Sequence, residues 1–243
     1  MTLQIERAPV ETTQRFYARL AGILFLWLIV NIVVSGLIFP SIPVSGTFSE
    51  AAGRIAASDH LYRLGFSFEV IETLSATVLA FALFVILKPV HSSLALLAMI
   101  FWLQDTCLAG VVQMCGFMRL NLYTSFQTVG PGTVPAQALA DLMRSIARTT
   151  ENIGGISFGI ALFIFFYLFF RSRYIPRILS AFGLFATAVW IGLYFATLVF
   201  PEHRSVFQLH ICFPLVGLVN VTMGVWLTLF AVSSHRLHVS DSA

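Results

Sequence analysis

Apolar residues dominate six stretches of the chain, near 20–39, 65–87, 93–116, 150–170, 178–200 and 207–232, and Pro, Gly and charged residues collect between them. About 20 apolar residues wound as a helix cross the hydrocarbon core of a bilayer. The pattern therefore predicts an all-α integral membrane bundle of six transmembrane helices, folded as a single domain over residues 1–243. Proline marks the boundaries. Pro40 and Pro43 follow the first stretch, Pro89 follows the second, and Pro176 and Pro201 bracket the fifth, where a missing N–H stops a helix. The first stretch is too long, and too poorly followed by small residues, for a cleaved signal peptide. It reads as a retained first helix.

Two connecting segments are long, 40–64 and 117–149. Within the first, "SEAAGRIAASDHLYRL" (49–64) suits a short helix lying on the membrane surface. Within the second, "TVGPGTVPAQ" (128–137) is irregular, with two Gly and two Pro. A helix restarts there with Pro135 in its first turn, so the fourth span is expected to begin well outside the lipid. The tails, 1–17 and 233–243, read as short and polar.

Six spans place both termini on one side. The loops and tails on that side hold eight Lys and Arg residues against six on the other, and the short "RSRYIPR" (171–177) carries three of them. Short loops are where positive charge selects the cytoplasmic face. The expectation is cytoplasmic termini, two longer outer loops, and a multi-pass protein of the cell membrane.

Composition agrees with lipid as the main solvent. Of 243 residues 58% are hydrophobic and 10% charged, whereas soluble domains are ~25% charged. There are 24 Phe and a single Lys, Lys88. The net charge of +3 is spread over loops, with no basic cluster for nucleic acid. Cys107, Cys115 and Cys212 lack CxxC spacing and read as buried free thiols packed as small hydrophobes.

Four landmarks carry a resemblance: "RLAG" (19–22), "RLGF" (63–66), "LKPVHSSLALLA" (87–98) and "YIPRILSAFGL" (174–184). With them the chain resembles a family of mostly bacterial membrane proteins catalogued as domain of unknown function 4386. The resemblance implies the six-span topology and a bacterial inner membrane, and no activity. It also implies an acidic residue at the positions of Glu69 and Asp105, and an Arg shortly before the latter, where this chain has Trp102 instead.

Chemistry concentrates in the polar residues at membrane depth. Glu69, Glu72 and Asp105 lie within spans, and Glu151 lies at the mouth of the fourth. A charge at mid-bilayer costs at least ~2.5–3.5 kcal/mol and so faces a cavity or a partner. Glu69 and Glu72, three residues apart, share one helix face. Asn31, Ser35, Gln104, Gln113, Asn152, His210 and Asn220 also fall in or beside spans. Most of these residues occupy the outer halves or the midplane, while "LAFALFVIL", "IFFYLFF" and "LTLFAV" leave the inner halves bare. If they converge, they form a polar pocket open to the outside and sealed below.

Glu69, Glu72 and Asp105 are the candidates for acid–base or ion-binding work. Arg63, Asn31, Gln104, Glu151, Asn152 and His210 are candidates to contact a ligand. Two ionised carboxylates this close repel, so a proton or a cation must accompany them; Arg63 and Arg148 stand near enough in sequence to supply the charge. Three readings stay open. The first is a small transporter or solute-binding protein with an outward-facing acidic site for a small cationic ligand. The second is a membrane-embedded enzyme using Glu or Asp as general acid or base on a lipid-soluble, prenyl or lipid substrate. The third is an ion-pair network that only fixes helix packing.

No cofactor or metal is expected. Glu69, Glu72, Asp105, Glu151 and His210 are acceptable ligands for a divalent metal, but the di-iron pattern of helical bundles wants Glu-x-x-His, and neither Glu69 nor Glu72 has a His three residues on. Lys88 at a helix end does not suit a retinal Schiff base. A bis-histidine haem needs two histidines at depth, and His60, His91, His203, His235 and His238 read as loop or tail residues. The oligomeric state is left open.

Overall fold

The computed structural model describes residues 7–38, 48–129 and 136–230. Seven α-helices follow in order: α1 (Arg7–Ile38), α2 (Phe48–Ala57), α3 (Asp59–Leu87), α4 (Ser92–Val129), α5 (Ala136–Ser172), α6 (Arg177–Val199) and α7 (Phe213–Phe230). A 3₁₀ turn (Pro201–His203) and a π-helical segment (Ser205–Cys212) join α6 to α7. Among the described residues six helices, all but α2, are long and apolar enough to cross a membrane. The chain is an all-α, multi-pass membrane protein.

The helices run longer than the apolar stretches alone indicate. α1 starts at Arg7, inside what reads as a polar tail. The segment 49–64 is α2 followed directly by the first turns of α3, so His60 is helical and not a loop residue. Most of 117–149 is likewise helical, as α4 continues to Val129 and α5 begins at Ala136. Once a bundle provides packing, polar helix formers extend a helix past the lipid boundary at little cost. The irregular reading of 128–137 falls mainly on residues outside those described, as do Pro40, Pro43, His235 and His238.

Local chemistry explains the breaks. α3 stops at Leu87, two residues before Pro89. His91 then caps α4, its Nδ1 accepting from Leu94 N–H at 3.2 Å and its carbonyl from Ala95 N–H at 3.0 Å, which occupies donors that a helix N-terminus leaves orphaned. After α5, Arg173 takes a left-handed conformation (φ 57°) and donates its N–H to Phe169 O, a left-handed helix stop. Pro214 lacks the N–H that would bond the His210 carbonyl, and the helix is wound wide just before it.

The six long helices close into a ring. α1 packs on α3, α3 on α4, α4 on α5, α5 on α6, α6 on α7, and α7 returns to α1. Closure depends on small residues. A Cβ on Gly22 would strike Thr228 of α7, and one on Gly224 would meet Leu26 of α1 at 2.9 Å. Small residues let two helices approach where no hydrophobic force acts between them in lipid.

The end of the ring nearest the α5–α6 turn is filled solid. Leu79, Leu83, Ile86 and Leu87 of α3 meet Phe165, Phe166 and Phe169 of α5, with Phe25 of α1, and all are at most 2% exposed. At the opposite end α2 lays Ala52 and Ile55 against Leu120 and Tyr123 of α4 and Ala140 of α5, a second, smaller core. Around the outside, Val30, Leu74, Val78, Phe81, Phe185 and Leu218 are exposed, as a lipid-facing surface requires. Cys115 and Cys212 are buried as expected, whereas Cys107 is exposed on α4. The expectation of three buried thiols is corrected there, because Cys107 falls on the outward stripe of α4 with Val111 and Met114.

Candidate ligand cavity

Between the packed end and α2 the ring encloses a cavity of about 400 Å³ lined by residues of all six long helices. Its size falls within the ordinary range of small-molecule sites. α3 contributes Glu69, Glu72 and Thr73; α4 contributes Trp102, Asp105, Thr106 and Gln113; α5 contributes Thr150, Glu151, Gly154 and Phe158. α6 adds Trp190 and Tyr194, α7 adds Phe213 and Asn220, and α1 adds Leu28 and Ile32. Four carboxyl side chains drawn from three helices thus face one hollow, and among the described residues no Lys, Arg or His lines it.

The geometry of α3 explains two of the four. Glu69, Glu72, Thr73 and Ala76 line the cavity because their spacing of three and four residues keeps them on one stripe, while Ile71, Leu74 and Val78 face outward. Gln113 ties α3 to α4. Its Nε2 donates to Glu69 O at 3.0 Å and to Thr73 Oγ1 at 2.6 Å. Thr73 in turn donates to Glu69 O at 3.0 Å.

An aromatic series walls the cavity toward the packed end. Trp102 meets Phe158 edge-on at 5.1 Å between centroids, and Phe158 meets Trp190 at 5.6 Å. Trp190 stacks on Tyr194 at 4.7 Å and stands perpendicular to Phe213. The double glycine of α5 admits this wall. A Cβ on Gly155 would overlap the Tyr194 ring, and Trp190 Nε1 donates to Gly155 O at 2.7 Å.

The carboxyls differ in what accompanies them. Glu151 pairs with Arg204 of the α6–α7 connection. Among the described residues Glu69, Glu72 and Asp105 make no ion pair, and their carboxyl groups make no hydrogen bond. They stand close enough that Glu151 acts electrostatically on Glu69, Glu69 on Glu72, and Glu72 on Asp105. Arg119, one helical face away on α4, exerts its charge on Glu69 and on Tyr62 without lining the cavity. Among the described residues no group of three or more His, Cys, Asp or Glu side chains is placed to hold a metal ion.

The other candidates lie elsewhere. Arg63 pairs with Asp59 at 2.8 Å and covers the Phe117 ring, beside the α2 core. Asn31 is fully buried in α1, its Nδ2 donating to Trp27 O at 3.0 Å, and does not reach the lining. Gln104 and His210 are exposed, and Asn152 is buried within α5; none of the three lines the hollow. Arg148 is exposed on α5. Residues that the polar pattern does not single out complete the site: Trp190 and Tyr194, whose i, i+4 spacing faces Gly159 and Gly155 of α5, and Arg204, which reads as an ordinary loop residue. Asn220, legible only as a polar residue near mid-span, lines the cavity while 8% exposed.

The family described as Domain of unknown function (DUF4386) matches residues 20–231. The chain belongs to that family. No curated protein and no solved structure is significantly similar to it.

Proposed function

We propose that this member of the DUF4386 family is a small solute-binding membrane protein, serving capture or transport, whose ligand occupies the acidic cavity. One observation carries the reading: Glu69, Glu72 and Asp105 face a common hollow without an ion pair or a carboxyl hydrogen bond among the described residues. Each such side chain costs at least ~2.5–3.5 kcal/mol to place at depth. A packing network would recover that cost through pairs within the chain; among the described residues these three form none, Glu69 feeling the charge of Arg119 without pairing to it. The partner is then a molecule from outside the chain.

The arginine-rich α5–α6 turn favours cytoplasmic termini, and with them a cavity displaced toward the outer leaflet. The packed end then closes the cytoplasmic side, so the described conformation is one that loads from outside or from lipid. The enzyme reading has less support. Among the described residues no side chain is hydrogen-bonded to any of the three carboxyls to orient it as an acid or base.

Native mass spectrometry of gently extracted protein tests the reading. A small molecule retained by the wild-type chain and lost from Glu72→Gln and Asp105→Asn, with both variants folded, is the expected result. Retention unchanged in both variants, or no retained molecule under any extraction, contradicts it.

A further inference from the structure

We infer that the cavity binds an organic ammonium ion with an apolar, preferably aromatic, body: its charged head among Asp105, Glu72 and Asn220 and its body along the Trp190–Tyr194 wall. The inference rests on the solute-binding reading above and specifies the chemical class.

The first argument is the inventory of donors and acceptors. Four of the cavity's side-chain donors, those of Thr73, Thr106, Gln113 and Trp190, are committed to the chain itself. Gln113 Nε2 bonds Glu69 O and Thr73 Oγ1, Thr106 bonds Trp102 O at 2.9 Å, and Trp190 Nε1 bonds Gly155 O. The carboxyl oxygens, by contrast, are uncommitted. A ligand entering such a site must bring donors, and an ammonium brings up to three with no acceptor of its own.

Asn220 gives an independent indication. Its side chain lines the cavity while only 8% exposed, and its buried Oδ1 has no hydrogen-bond partner. An unmet acceptor at that depth is costly, and a ligand donor that reaches it relieves the cost. An acceptor amide in the same cavity as the acids favours a ligand rich in donors.

Charge and shape complete the assignment. With Glu151 already paired to Arg204, three acids remain without an ion pair and no basic side chain lines the cavity among the described residues, so an anion is disfavoured. A bare metal ion lacks a set of three close ligands among the described residues. Trp190 and Tyr194, with Phe158 and Phe213, give the lining an apolar aromatic wall near the carboxyls, against which an apolar body packs. The remaining wall is aliphatic, which suits a hydrocarbon body and does not suit a polyamine.

Trp102 and Trp190 both line the cavity, so intrinsic tryptophan emission reports occupancy. Full-length protein in lipid nanodiscs is titrated with 2-phenylethylammonium, and in parallel with 2-phenylethanol and phenylacetate, which keep the body and change the head to neutral or negative. The expected result is saturable binding of the ammonium, at least tenfold weaker binding of the alcohol, and none of the carboxylate. Asp105→Asn and Glu72→Gln each weaken ammonium binding at least tenfold, and Gln104→Leu on the outward face leaves it unchanged. Alcohol or carboxylate binding as tight as the ammonium overturns the ammonium class and leaves the solute-binding reading standing. So does the failure of all three probes while native mass spectra still show a retained molecule. Ammonium binding that survives both acid variants places it elsewhere and overturns the assignment. No probe binding and no retained molecule overturns both.

Discussion

Asp105 and Gly154 face each other across the α4–α5 seam so closely that a Cβ on residue 154 would stand 2.8 Å from Asp105 Oδ1. The glycine is what lets a carboxyl sit against the backbone of the next helix and still face the cavity. Across the neighbouring α5–α6 seam, Gly155 lies under the Tyr194 ring. Two adjacent glycines therefore serve two different parts of the site, and their substitutions should fail in different ways.

Gly154→Ala should separate binding from folding. The atom it displaces is the free end of a short side chain, so Asp105 can swing aside at little cost. Replacing a mid-helix Gly by Ala meanwhile favours the helix by about 0.5–1 kcal/mol. The expected outcome is a thermal midpoint equal to or above wild type, with ligand occupancy in native mass spectra sharply reduced. Differential scanning fluorimetry of the detergent-solubilised protein supplies the first measurement.

Gly155→Ala should instead damage the fold. The new methyl meets a Tyr194 ring that is 2% exposed and already stacked on Trp190, and it has nowhere to move. Overpacking of this kind costs about 1–3 kcal/mol. A lowered thermal midpoint is expected, partly restored when Tyr194→Leu is added to make room.

Gln113→Leu removes the hydrogen bonds that join α3 to α4. Interhelical polar contacts in membranes average about 0.6 kcal/mol and reach about 1.7. A loss near 1 kcal/mol is expected in equilibrium unfolding by denaturing detergent. Gln104→Leu, on the exposed stripe of the same helix, should change nothing, and an equal loss there would show that the effect is not from the α3–α4 link.

The Glu151–Arg204 pair fastens the π-helical connection to α5, but Glu151 is 43% exposed. Screening by solvent limits such a pair to about 1 kcal/mol or less. A double-mutant cycle with Glu151→Gln and Arg204→Gln should return a coupling energy of that size, smaller at high salt. A coupling of several kcal/mol would mean that the pair is shut away from water.

The spans were legible because apolar runs of this length have few alternatives to a membrane helix, and α3 shows how far that extends: Glu69 and Glu72 share a stripe by helical period alone. Beyond the lipid, the helix in 49–64 and the early start of α5 were legible, whereas 117–129 was not: it continues α4 as helix, packing Leu120 and Tyr123 against α2. Nor was the aromatic wall. Trp190 and Tyr194 resemble ordinary span composition, and only the ring of six helices turns them toward Gly159 and Gly155. Arg63 and Arg204 show the same limit, because nearness along the chain suggested Arg63 as the counter-charge, whereas Glu151 finds Arg204 through the α5–α6 packing.

The central claim is that the cavity acids serve a ligand and not the fold. It is tested most directly by the thermal midpoint of ligand-stripped protein carrying both Glu72→Gln and Asp105→Asn. Removing two mutually repelling, unpartnered carboxyls should leave the midpoint unchanged or raise it, as happens when a protein gives up a functional site that strains it. A midpoint well below that of ligand-stripped wild type would mean that these carboxyls hold the bundle together, and would contradict the account.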